Sequence, residues 1–240
     1  MAGLNAKKVK STGGHRQEAI DAGSYPARVV QIIDLGVQPQ RPHQGKTKPP
    51  VQMIRITYEF VDEFCLDEAG EEQLDKPRWV SEDIPFYSLD ADRAKSTLCY
   101  KALDPEDVND GDFEGLIDTP CNVTITKTQG KGKNSDKEYN NISAVSGMRP
   151  KDRKKCEPLV NEPVFFSIDS PVKDDFDKLS DYVKDKIKEG LEFEGSPLDK
   201  LLKGLPVDEE DDQEPPFDED IPEEVGELAD EDDDEEEPNW

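Results

Sequence analysis

Residues 51–64 read VQMIRITYEFVDEF, and within them Ile54, Ile56, Tyr58 and Phe60 alternate with Arg55, Thr57 and Glu59. A period of two sends successive side chains to opposite faces, so the stretch predicts a strand with one face buried. Upstream, YPARVVQIIDLGV (25–37) is rich in Val and Ile and predicts a first strand. The connection QPQRPHQGKTKPP (38–50) is too rich in Pro and Gly for a helix or a central strand. Downstream, an acidic turn (65–75) leads to KPRWVSEDIPFYSL (76–89), a third strand with Val80, Ile84 and Phe86 facing inward and Trp79 outward. The period then changes. Over 88–103, Ser88 can cap, Asp90 and Asp92 suit a first turn, and Ala94, Leu98 and Ala102 fall on one helical face. DTPCNVTITKTQ (118–129) and YNNISAVSG (139–147) complete the set as strands four and five, joined by GKGKNSDKE.

Three strands, a helix and two more strands is the element order of an OB-fold, a partly open barrel that binds oligonucleotides or oligosaccharides on its strand 2–3 face and 1–2 and 4–5 loops. The fold class expected is therefore mainly β: a five-stranded OB-fold barrel with a helix between strands 3 and 4. Farther on, Phe176, Leu179, Val183 and Ile187 lie at helical spacing and predict a peripheral C-terminal helix on the barrel. The expected organisation is a flexible basic arm over 1–22, the OB-fold domain over 23–170, helix and linker over 171–204, and an acidic tail over 205–240.

Charge sorts the same way. The chain has 240 residues, 30 Lys+Arg against 57 Asp+Glu, a net charge of −27 and 33% hydrophobic residues. Residues 208–240 hold 20 of the acidic residues and no Lys or Arg, so they are expected to be disordered, whereas the body is close to neutral. Within the body, Arg41, Lys46 and Lys48 occupy the 1–2 loop, and Lys127, Lys131, Lys133 and Lys137 the 4–5 loop. Cations thus gather on the two loops that flank an OB-fold groove. Single-strand binding needs such a cationic track together with aromatic faces, where stacking contributes about 1–3 kcal/mol per base. Outward parity nominates Trp79 and Tyr139 for stacking and Arg55 for phosphate, joined by Arg78 and Arg28; Tyr58, Phe60 and Phe86 read as core.

Other chemistries find little support. The four cysteines (Cys65, Cys99, Cys121, Cys156) form no CxxC pair, and only His15 and His43 are available beside them, so neither a disulfide framework nor a metal site is expected. No HExxH, P-loop or GxSxG text occurs, so no catalytic residues are assigned, no cofactor is expected and the protein reads as non-enzymatic. No stretch approaches the roughly 20 apolar residues of a membrane span, and the basic N-terminus lacks the apolar core of a secretory leader.

Two segments carry a resemblance. Phe217-Asp218-Glu219-Asp220-Ile221-Pro222 resembles the acidic tip of bacterial single-stranded DNA-binding proteins. The body, through GSYPARVVQIIDLGVQ, ITYEF, YNNISAV and NEPVFFSID, looks like the bacteriophage single-stranded DNA-binding proteins. The resemblance implies a protein that coats exposed strands in phage DNA replication, recombination and repair, in the cytoplasm of the infected host cell, as a monomer or weak oligomer. It also implies a tail that shields the DNA groove and recruits replication or recombination proteins, with Phe217, Asp218, Asp220, Ile221 and the terminal Trp240 as its contacts. A tethered polyanion does compete with phosphate at high effective concentration. In this chain FDEDIP is internal rather than terminal, and Trp240 stands at the end. The rival reading is an acidic protein-interaction module, a DNA mimic or a chaperone of basic proteins, without nucleic-acid binding.

Overall fold

The alternating text of 51–64 lies within a 16-residue strand, β2 (Val51–Leu66). It pairs antiparallel with β1 (Gly23–Gln38) on one side and β3 (Glu72–Pro85) on the other. The computed structural model of the chain describes residues 17–40, 42 and 47–206, without the side chain of Lys133. Of the arm expected over 1–22, residues 1–16 lie outside the described residues, as does the tail expected over 205–240 from residue 207 onward. After β3 come helix α1 (Lys95–Leu103), β4 (Pro120–Gln129), β5 (Glu138–Gly147), a short helix α2 (Pro150–Arg153), β6 (Val164–Phe166) and helices α3 (Lys173–Lys178), α4 (Asp181–Lys188) and α5 (Pro197–Leu202). The protein is mainly β, with all described elements in one compact unit.

Strand order in the sheet is β3-β2-β1-β4-β5, antiparallel throughout, and β6 adds parallel to β1 beyond the point where β4 leaves it. Four antiparallel steps separate β3 from β5, so the two end strands run in the same direction. They approach each other without a hydrogen-bonded ladder among the described residues, so the sheet is open at this seam and the expected five-stranded barrel is not closed. Lys95 on α1 bridges this seam, donating to Glu82 of β3 and to the carbonyl of Ile142 on β5. The seam also holds residues 17–21, at the end of the expected arm. Ile20 is buried in the core, its backbone exchanges hydrogen bonds with the Asn140 side chain, and the Glu18 carbonyl accepts from Arg78.

One extra residue in β1 explains how the sheet serves two cores. Val29 opposes Tyr58, but Gln31 opposes Thr57, so Val30 forms a bulge that resets the alternation. Ala27, Val29 and Ile32 therefore face the main core with Ile54, Ile56, Tyr58, Phe60, Val80, Ile84, Val123 and Ile125. Ile33 and Leu35 point the other way, into a second core with Phe166, Phe176, Leu179, Val183, Ile187 and Leu198. A second bulge between Asp34 and Val37 is built on Gly36, at φ +70°, whose amide donates to Asp34 Oδ1 at 2.8 Å.

The helices depart from their expected forms. α1 starts at Lys95 rather than 88, and it buries Ser96, Cys99, Tyr100 and Leu103, while Leu98, expected inward, is 56% exposed. The apolar spacing at 176–187 is real, since all four residues are buried, but the helix breaks at Leu179 (ψ 149°) into α3 and α4. This is no appendage: these side chains make the second core. All four cysteines are unpaired, and burial pushes the Cys99 thiol up to about 11 beside the Tyr58 hydroxyl.

Candidate nucleic-acid interface

The outer faces of β2 and β3 carry three cross-strand pairs in register: Arg55 with Asp83, Thr57 with Ser81, and Glu59 with Trp79. Each pair is chemically matched. Arg55 Nε donates to Asp83 Oδ1 at 2.6 Å, the Thr57 and Ser81 hydroxyls lie 2.9 Å apart, and the Trp79 indole donates to Glu59 Oε2 at 2.9 Å. The indole is 42% exposed, with its N–H edge pinned. Its placement outward from β3 is as the parity of 76–89 predicted.

Glu59 is buried although it lies on the outer face, because a strap covers it. The chain from Cys156 to Asn161 crosses the sheet over the row Pro120–Arg28–Glu59–Trp79, in which each residue opposes the next. At one end of the strap, Arg28 donates to the carbonyls of Glu157 (2.7 Å) and Cys156 (3.1 Å), and to the backbone and carboxylate oxygens of Asp118 (both 2.8 Å). At the other end, Glu59 Oε1 accepts from the Val160 amide at 2.6 Å and Oε2 from the Asn161 amide group at 2.7 Å. Nothing in the text of 156–161 marks a strap, since it has no period and no strand composition.

This geometry commits several of the expected phosphate contacts to the fold itself. The guanidinium of Arg28 is spent on stapling the strap. Arg55 pairs with Asp83, which Lys186 of α4 also reaches, and the guanidinium lies 4.9 Å from the centre of the Tyr182 ring. Burial by itself would raise the Asp83 carboxyl, but the hydrogen bonds from Arg55 and Lys186 outweigh it and hold it below the usual aspartate range. Arg78 is engaged with the Glu18 carbonyl.

The β4–β5 turn keeps more of its cationic character. Lys127 is paired with Asp21 at 2.8 Å and with Glu138 at 3.4 Å, and those partners raise its ammonium above the usual lysine value. Lys131 is exposed, as is Lys48 in the β1–β2 connection. Gly130 is required here, because a Cβ would sit 2.1 Å from the Asn134 carbonyl oxygen. Tyr139 is 41% exposed at the start of β5. Glu82 and Ile142 meet across the seam through Lys95, and β3 and β5 run in the same direction. Trp79 on β3 and Tyr139 on β5 thus belong to the two strands that flank the seam. Arg41 and Lys46, the side chain of Lys133, and the tail residues Phe217, Asp218, Asp220, Ile221 and Trp240 lie outside the described residues.

Sequence reasoning passed over one charged feature. RPKDRKK (149–155) carries five cations against one acid, at the start of the strap. A local charge count would have found it. Among the described residues there is no cluster of side chains fit to hold a metal ion, and no helix is long and apolar enough to cross a membrane. A scan of protein-family models and a search of curated proteins each returned no match.

Proposed function

We propose that the protein is a non-enzymatic, sequence-tolerant single-stranded DNA-binding protein whose sheet is an OB-fold, open at the β3–β5 seam. The observation that carries this reading is Trp79: a half-exposed indole on the outer face of β3 beside β2, its N–H edge fixed by Glu59 so that a ring face remains for a base. Tyr139, exposed at the start of β5 on the other side of the seam, offers a second ring, and the β4–β5 turn offers Lys131 and Lys137 for phosphate. Such a surface is sequence-tolerant because every base has a π face. Strand order β3-β2-β1-β4-β5 with a helix between β3 and β4 supports the OB-fold assignment. In this reading the protein coats exposed strands during phage replication, recombination and repair in the infected cell, and the acidic tail shields the groove and recruits replication proteins.

The internal pairing of Arg28, Arg55 and Lys127 favours the rival, an acidic protein-interaction module. The two separate on one titration of the full chain into a fluorescent dT oligonucleotide at low salt, followed by anisotropy. Saturable binding that weakens with salt is the expected result. No binding at 50 mM salt would refute single-strand coating and leave the interaction module standing.

A further inference from the structure

Elsewhere in the described residues Arg28, Arg55, Lys95, Lys101, Lys127, Lys173, Lys178, Lys186 and Lys203 make ion pairs. Others, such as Lys48, Arg93 and Lys131, make none among the described residues but are scattered along the chain. Segment 149–155 differs in gathering five cations within seven residues. Arg149 pairs with Asp152 at 2.7 Å and Arg153 donates to the Met148 carbonyl at 3.0 Å, which fixes α2. Lys151, Lys154 and Lys155 are exposed and make no ion pair among the described residues.

Position gives this cluster its meaning. Lys155 is followed directly by the strap, which runs from Arg28 at Cys156–Glu157 to Glu59 and Trp79 at Val160–Asn161. Five residues of extended chain reach at most about 17 Å. The cluster therefore lies within a few nucleotides of the indole. It also sits at the end of the β4–β5 hairpin where Cys121 opposes Gly147, whereas the lysine turn caps the other end, where Gln129 opposes Glu138. At about 3.3 Å per residue, those ends are separated by roughly 26 Å of strand.

We infer that Lys151, Lys154 and Lys155 form a second phosphate-contact site, binding the backbone of a single strand that extends from Trp79 along the strap. This rests on the single-strand reading above. It makes the path bipolar, with one cationic end at the β4–β5 turn and another at the strap, and the aromatic surface between them.

The test uses the full chain with Lys151, Lys154 and Lys155 all changed to Gln, titrated against a fluorescent dT oligonucleotide over a range of salt. Each phosphate contact contributes about 0.7 to the slope of log K against log salt for single strands. The triple variant should therefore lose about 2 from the slope and bind on the order of tenfold or more weakly at 0.1 M salt. The triple Lys→Arg variant should keep the wild-type slope, and an unchanged melting temperature shows that both remain folded. A wild-type slope in the Gln variant overturns the inference, and so does tighter binding, which would mean that the lysines hold the acidic tail instead. If the wild-type chain itself binds no dT, the single-strand reading falls and this site falls with it.

Discussion

Glu59→Gln tests the strap with one atom exchanged. In the wild type the two carboxylate oxygens accept three hydrogen bonds, from the Val160 amide, the Trp79 indole and the Asn161 side chain. A glutamine has one acceptor oxygen. Placed at Oε2 it keeps Trp79 and Asn161, but its own NH2 then faces the Val160 N–H. One charge-assisted bond is lost and a donor is left against a donor, at a cost of about 2 kcal/mol. Alanine leaves all three donors without an acceptor and should cost about 3–5 kcal/mol, with water recovering part of it at the half-exposed indole. With a urea m-value of about 2 kcal/mol per molar, the midpoint should fall by about 1 M for Gln and about 2 M for Ala. Trp79→Phe removes the indole donor together with part of the ring, so a double-mutant cycle with Glu59→Ala, which removes the acceptor, should show a coupling of about 1 kcal/mol. A Glu59→Gln midpoint equal to wild type, or strict additivity in the cycle, would refute the assignment of Glu59 as the anchor that joins strap and indole.

Acid sensitivity should be partly local to Asp83. Its folded value lies below the ordinary 3.8, so its stabilisation is complete above that value and is lost as pH falls through the depressed one. Asp83→Asn should accordingly be less stable at neutral pH and lose less on acidification below about pH 4, measured by thermal melts across pH. Leu103→Ala, inside the main core, should cost about 2–5 kcal/mol, whereas Leu98→Ala on the exposed face of α1 should stay within about 0.5 kcal/mol in urea melts. Ile187→Ala, fully buried in the second core, should also cost about 2–5 kcal/mol in one cooperative transition. A separate early transition would instead show α3–α5 unfolding independently of the sheet.

Legibility followed period and charge. β2 was readable because Ile54, Ile56, Tyr58 and Phe60 keep strict alternation and all four enter the main core, although Thr57 and Glu59 on the outer face are buried as well. β1 carried a nearly continuous apolar run, VVQII, broken only by Gln31, and such runs accompany burial on both faces. The second core behind it was nevertheless invisible, since the bulge at Val30 comes from pairing and not from residue type. α1 misled because its buried face is made of Ser96, Cys99 and Tyr100, while the conspicuous Leu98 points to solvent. In the candidate interface, Trp79 was legible from parity. The engagement of Arg28 and Arg55 was not, because a guanidinium pointing outward looks the same in sequence whether it meets phosphate, a carboxylate or a strap carbonyl. The lysines of 151–155 were in plain text; they went unread because they fall between elements and outside the loops that the fold template nominates.

The central claim is that a single strand lies on the outer face of β3 against Trp79. The chain has two tryptophans, so the full-length protein carrying Trp240→Phe reports Trp79 alone. Titration with poly-dT should quench its fluorescence saturably, at the same concentrations at which anisotropy detects binding, and added salt should reverse both signals. Binding by anisotropy with no change in Trp79 emission would contradict the account and move the strand to another surface.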